Sequence, residues 1–342
     1  MIDVAQEERT DRAITFAMAR YPARVKADDY ATDYSNVPFG AYAWYKGETS
    51  VDDADFMTNQ KVVYDATDNV WKTDGATYYW PRGGSLDFIC YSPYSADSAP
   101  AIAENQIQWT GWSVSDNPGV DLMYATKATG LTAPSTTYYY NGVPTLFHHA
   151  LAQVAVKVRL AYHEAEPSTG DKTRWKVTIH GMTLKSLYTA GSLTLNLDAA
   201  GAWTVPETWT PSGETANLPL DISALPSELT DETLYDLGAP MFVLPQTLET
   251  TNLVDMEISI TTERDSGSGY QPFLTESHLH VSAPLATTEL PAWGINHRIV
   301  YTLTLAPSLP TEASGVQVPT EIHFDPAVEG WEDVSVSMNI DI

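Results

Sequence analysis

Almost nothing in this chain repeats with the period of a helix. Short runs of alternating apolar and polar residues follow one another, separated by glycine, proline, asparagine and aspartate. Alternation with period two sends every second side chain to one face of a strand. The longest such pattern lies within 143–162, where Val154, Val156, Val158 and Leu160 share one face and Lys157 and Arg159 the other. Leu86–Tyr91 is almost wholly apolar and reads as a buried strand. Val62–Tyr64 and Val70–Trp71 flank the polar stretch Asp65–Asn69, a hairpin by composition. Further strands are expected at Trp175–Ile179, Leu193–Leu197, Met241–Leu244, Leu253–Thr261, His278–Val281 and Ile299–Leu305. The best helical stretch is Asp221–Asp236, a short excursion after Pro226. Many short, punctuated strands over 342 residues predict an all-β chain with two sandwich cores. Asn141-Gly142 is a strong turn signal, and a boundary there divides the chain into residues 1–145 and 146–342.

Two runs near the ends carry the functional argument. Val334, Val336, Met338, Ile340 and Ile342 alternate with polar residues without a miss. An apolar strand of this kind is an aggregation hazard unless a sheet buries it. It either closes a sheet in its own chain or completes one in another. Ile14, Phe16 and Met18 form a second alternating run near the other end. Such a pair suits subunits that polymerise by strand addition. Burying five apolar side chains is worth on the order of 7–15 kcal/mol, and ordering a free tail, at ~1–2 kcal/mol per residue, offsets much of it.

The chemistry of a catalyst is missing from the sequence. There is no G-x-S-x-G elbow, no phosphate-binding glycine loop and no H-E-x-x-H pair. His278 and His280 lie on one face of a strand, but no third ligand is near, and no metal or other cofactor is expected. His148 and His149 point to opposite sides of a strand, one towards the core. A net charge of -26, from 44 acidic against 18 basic residues, disfavours nucleic acid and anionic membranes as partners. The single cysteine, Cys90, sits in the apolar run and reads as a small buried hydrophobe. Ten tryptophans and nineteen tyrosines are mostly core, with a few near turns, among them Trp71, Trp80, Trp109 and Trp112, able to face outward. No transmembrane run occurs, and the first 25 residues hold no apolar stretch of signal-peptide length. The chain therefore reads as either cytosolic or already trimmed.

The segment Tyr78–Pro93, with Trp80-Pro81, Leu86-Asp87-Phe88 and Tyr91-Ser92-Pro93, resembles the fimbrillin-like (Mfa-like) family of Bacteroidales, the type V pilins. The resemblance continues in order through Asp121–Ala125, Leu146–Val156, Leu244–Gln246, Trp293–Tyr301, Ile322–Phe324 and Gly330–Asp333. It implies two tandem transthyretin-like β-sandwich domains and a non-enzymatic fimbrial subunit, in stalk or tip position. It implies display on the cell surface, from a precursor exported through the periplasm as an outer-membrane lipoprotein, although no N-terminal cysteine is present here. In such a subunit a protease cuts after an arginine, the first strand leaves, and a neighbour's strand takes its place. Carried onto this chain, Arg20 and Arg24 are the expected cut sites and Ile14, Phe16 and Met18 the leaving strand. Val334, Val336, Met338, Ile340 and Ile342 are then the donor. Partners would be other pilin subunits, the processing protease and a host or bacterial surface ligand. The alternative is a surface adhesin for host glycan or protein that does not polymerise.

Overall fold

The computed structural model describes residues 13–18, 36–47, 49, 54–68, 70–132, 142–165, 171–307, 324–327 and 332–341. Among them there is no α-helix, and the chain is all-β. It divides into two compact units. The first comprises 1–112, 120–151 and 192–207, and the second 113–119, 152–191 and 208–342.

The first unit contains β1 (Phe16–Met18), β2 (Phe39–Lys46), β3 (Ala54–Asp65), β4 (Val70–Thr73) and β5 (Ser85–Ser92). It continues with β6 (Ala101–Ala103), β7 (Gln106–Ser113, whose last residue belongs to the second unit), β8 (Met123–Ala125), β9 (Ala128–Leu131), β10 (Val143–Thr145) and β11 (Phe147–His149). Its main sheet runs β10-β1-β4-β3-β2-β5-β8-β11, with β9 also on β5. The hairpin of β3 and β4 forms as the sequence indicates. Asp65 accepts hydrogen bonds from the backbone N–H of Thr67 and Asp68, and Asp65 pairs with Val70 across it. β5 is buried nearly throughout, Cys90 with it. Burial pushes the Cys90 thiol far above its ordinary range, so it is inert in the folded chain. One core joins Ile14, Phe16, Phe39, Trp71, Trp80, Phe88, Cys90 and Val143.

The second unit contains β12 (Ala152–Leu160) and β13 (Glu164–Ala165), followed by β14 (Lys172–Leu197), whose residues from Ser192 belong to the first unit. β15 (Trp203–Thr204) pairs with that end of β14, at Asn196 and Leu197. Then come β16 (Thr210–Pro219), β17 (Tyr235–Asp236), β18 (Met241–Val243), β19 (Gln246–Thr247) and β20 (Leu253–Asp265). The chain continues through β21 (Gln271–Pro284), β22 (Ala292–Trp293), β23 (His297–Ala306), β24 (Phe324–Ala327) and β25 (Glu332–Asp341). One sheet carries β17-β12-β23-β24-β25, and β14, β20 and β21 pair antiparallel in another. Val154, Val156, Val158 and Leu160 enter a core with Trp175, Ile258, Trp293 and Tyr301. On the opposite face of β12, Lys157 pairs with Asp236 at 3.1 Å, and Arg159 donates to Thr304.

Several expectations change. Within the run 143–162 the strand that carries Val154, Val156, Val158 and Leu160 forms as β12, and two three-residue strands, β10 and β11, precede it. The strands expected at 175–179 and 193–197 are one, β14, which absorbs a bulge at Ile179/Gly181 and a positive φ at Ser186 instead of ending. Asp221–Asp236 is not helical. Asp221 and Asp231 accept hydrogen bonds from the N–H groups two residues on, Ser223 and Thr233. Leu229 exchanges both backbone hydrogen bonds with Val177. Local side-chain acceptors and a neighbouring strand thus take the donors a helix would need. Trp71, Trp80 and Trp109 are buried.

Candidate strand-exchange groove

β1 is only three residues long, yet it is an interior strand. Phe16, Ala17 and Met18 pair in parallel with Val143, Pro144 and Thr145, and Phe16 pairs antiparallel with Trp71. Just before it, Ala13 bridges to Tyr79. The N–H of Ile14 donates to the Tyr78 carbonyl at 2.9 Å, and the N–H of Val143 donates to the Thr15 carbonyl at 2.6 Å.

The side chains explain why it is there. Ile14 is 2% exposed and Phe16 is 1% exposed. The Phe16 ring meets Phe39 edge-on at 5.5 Å and Phe88 edge-on at 5.9 Å. Phe39 in turn contacts Trp71 at 5.3 Å and Phe147 at 5.4 Å, and Phe88 contacts Trp80 at 6.0 Å. Phe16 is therefore the ring that joins the Phe39 and Phe88 groups into one aromatic cluster, and Thr15, between the two inward residues, is less buried. Burial of Ile14 and Phe16 contributes ~1.5–3 kcal/mol each.

Gly142 shapes the slot beside β1. Its φ is +94°, and a Cβ there would lie 2.4 Å from the Thr15 oxygen, 2.5 Å from its carbonyl carbon and 2.8 Å from the Phe16 nitrogen. All three are backbone atoms. Any chain occupying the place of β1 meets the same limit. The dipeptide Asn141-Gly142 signals a turn in the sequence, but its closeness to β1 is not a local property and cannot be read there.

The other sequence-derived residues fall as follows. Met18 pairs with Thr145 through its backbone. Arg20 and Arg24 lie outside the described residues, as does Ile342. The backbone of Val334, Met338 and Ile340 pairs in parallel with Ile299, Leu303 and Leu305 of β23, and Val336 pairs with β24. The candidate donor run thus occupies a place in the sheet of its own second unit. His278 and His280 both flank β20. His278 has a φ of +57°, stacks on His180 at 4.8 Å and lies 2.5 Å from Glu257, while His280 is 3.5 Å from Asp255. Neither His148 nor His149 enters the core. His148 stacks on Tyr124 and shares a hydrogen bond with Thr126, and His149 pairs with Asp121 at 2.9 Å. Among the described residues no helix is long and apolar enough to cross a membrane.

The sequence model of the fimbrillin-like family matches residues 25–331. The chain belongs to the fimbrillin-like family. Solved structures similar to this fimbrillin-like chain include a fimbrial protein from Bacteroides vulgatus, 17% identical, covering 94% of this chain and 99% of that one, with a TM-score of 0.55. The tip fimbrial protein Mfa3 from Porphyromonas gingivalis is 9% identical, covers 93% and 100%, and has a TM-score of 0.41. The fimbrial anchor protein Mfa2 from the same organism is 10% identical, covers 94% and 98%, and has a TM-score of 0.31. No curated protein sequence matches the chain. At these identities the Bacteroides vulgatus structure speaks to the fold alone.

Proposed function

We propose that this fimbrillin-like chain is a non-enzymatic subunit of a cell-surface fimbria built by strand exchange. The observation that carries the reading is β1: a short interior strand, paired on both sides, whose Ile14 and Phe16 fill the core of the first unit. In this account a protease cuts after Arg20 or Arg24. β1, with Ile14, Phe16 and Met18, is then no longer tethered to β2. A strand from a neighbouring subunit enters between β10 and β4 and restores both pairings. The run with Val334, Val336, Met338, Ile340 and Ile342 performs the same service for another subunit, after leaving β23. Retention rests on slow release of the buried strand. The precursor reaches the surface through the periplasm as an outer-membrane lipoprotein.

A second reading is favoured by one observation. β25 pairs with β23 along most of its length, so the run can serve as the closing strand of its own sheet. The chain would then be a tip subunit, or a surface adhesin for host glycan or protein that donates no strand.

The two separate in cells that assemble such fibres. Donation predicts that the chain enters detergent-resistant material of high mass, and that Ile340→Asp abolishes this entry while the uncut monomer remains folded. Replacing Arg20 and Arg24 with Gln blocks acceptance in the same assay. If neither change alters the material, exchange is wrong and the adhesin reading replaces it.

A further inference from the structure

The groove is specific about its occupant. Phe16 is not one apolar residue among many. Its ring is held edge-on by two others, and through them it links Trp71, Phe147 and Trp80. A close-packed interior leaves no slack for a different shape. A strand bringing an aliphatic side chain to this position leaves unfilled volume and loses the edge contacts. The chain's own candidate donor is aliphatic throughout. Residues 334–342 contain valine, methionine and isoleucine at the inward spacing and no aromatic residue.

We infer that the groove is matched to a strand from a different polypeptide, one presenting an aliphatic residue at the place of Ile14 and an aromatic residue at the place of Phe16. The inference rests on the exchange reading and deepens it, by naming the chemistry of the partner. Donating its 334–342 run, a second copy of this chain underfills the aromatic position. The subunit therefore sits next to an unlike neighbour and does not build a long run of itself. The clearance at Gly142 acts on the backbone of any entering strand and does not discriminate between them. Selection falls on the side chain at the Phe16 position.

The test uses the full chain with a site-specific protease sequence in place of residues 20–24, cut under native conditions. Fluorescent peptides are titrated into it: residues 10–20, the same peptide with Phe16→Val, residues 332–342, and that peptide with Met338→Phe or Ile340→Phe. Fluorescence anisotropy reads binding, and protection of Cys90 from a thiol reagent shows that the first unit is folded. The 10–20 peptide is expected to bind at least about tenfold more tightly than its valine version and than 332–342. One of the phenylalanine changes should recover affinity in the 332–342 peptide. Equal or tighter binding by unmodified 332–342, or a valine version as good as the original, overturns the inference and leaves strand exchange standing. Failure of every peptide to bind overturns both.

Discussion

Gly142→Ala should act on β1 and on little else. Two effects contribute. The backbone has a φ of +94°, and an L-residue held in left-handed geometry costs ~1–2 kcal/mol. The added Cβ also meets the carbonyl of Thr15 at 2.4 Å, and no rotamer change relieves a clash with backbone. The chain does have an escape, which is to let β1 leave. The collision therefore costs no more than detaching β1, and losing the burial of Ile14 and Phe16 sets this at about 3–6 kcal/mol. Gly130→Ala is the control, because Gly130 has a φ of +67° with nothing within 4 Å of its Cβ position. It should cost only the strain of ~1–2 kcal/mol. Urea unfolding gives the two stabilities, and thiol labelling under native conditions tells where the loss occurs. Cys90, the one cysteine of the chain, lies in the core that β1 closes. Its labelling should quicken at least about a hundredfold in Gly142→Ala, in proportion to the more frequent local opening, and little in Gly130→Ala. Equal losses in the two variants, or Cys90 labelling unchanged in Gly142→Ala, would refute the argument that β1 is pressed against this glycine.

Other outcomes follow from the same structure. The side chain of Lys127 is only 4% exposed and lies 3.1 Å from Asp87 and 3.7 Å from Glu104. Lys127→Met should cost ~3–5 kcal/mol by leaving Asp87 uncompensated, and adding Asp87→Asn should recover much of it in urea unfolding. The buried Trp293 indole donates to Tyr301 at 2.8 Å, and the Tyr301 hydroxyl donates to the Leu285 carbonyl at 3.1 Å. Tyr301→Phe should lower stability by ~1–3 kcal/mol, with a shift in Trp fluorescence. Burial alone would raise the Glu263 carboxyl, but hydrogen bonds from Lys176 and Arg174 outweigh it and hold it below the usual range. Its folded value is thus below its unfolded value. The stability it adds is fully present above about pH 4.3 and is lost as pH falls through the depressed value. Glu263→Gln should flatten that acid limb when the urea midpoint is followed downward in pH.

How far the sequence speaks depends on how local the cause is. The inward face of β12 is visible because Val154, Val156, Val158 and Leu160 alternate within one strand. Ile14 and Phe16 are visible for the same reason. The partners of β1 are not, since its parallel neighbour β10 lies more than a hundred residues on and nothing in Val143–Thr145 names it. Gly142 reads as a turn signal, while the contact it makes with Thr15 depends on that distant pairing. The helical reading of Asp221–Asp236 fails because the short acidic side chains bind the backbone N–H groups and Val177 claims Leu229. Trp71, Trp80 and Trp109 stand near turns, where chain position says little about depth, and each is buried.

The central claim is that the place of β1 can change hands while the first unit stays folded. Native mass spectrometry tests this on the full chain cut between β1 and β2 and mixed with an excess of isotope-labelled peptide of residues 10–20. The account predicts one-for-one replacement of the severed segment by the labelled peptide, with Cys90 shielded from thiol reagents throughout. A severed segment that never leaves short of global unfolding, or one whose departure leaves Cys90 reactive and the site closed to the peptide, would contradict it.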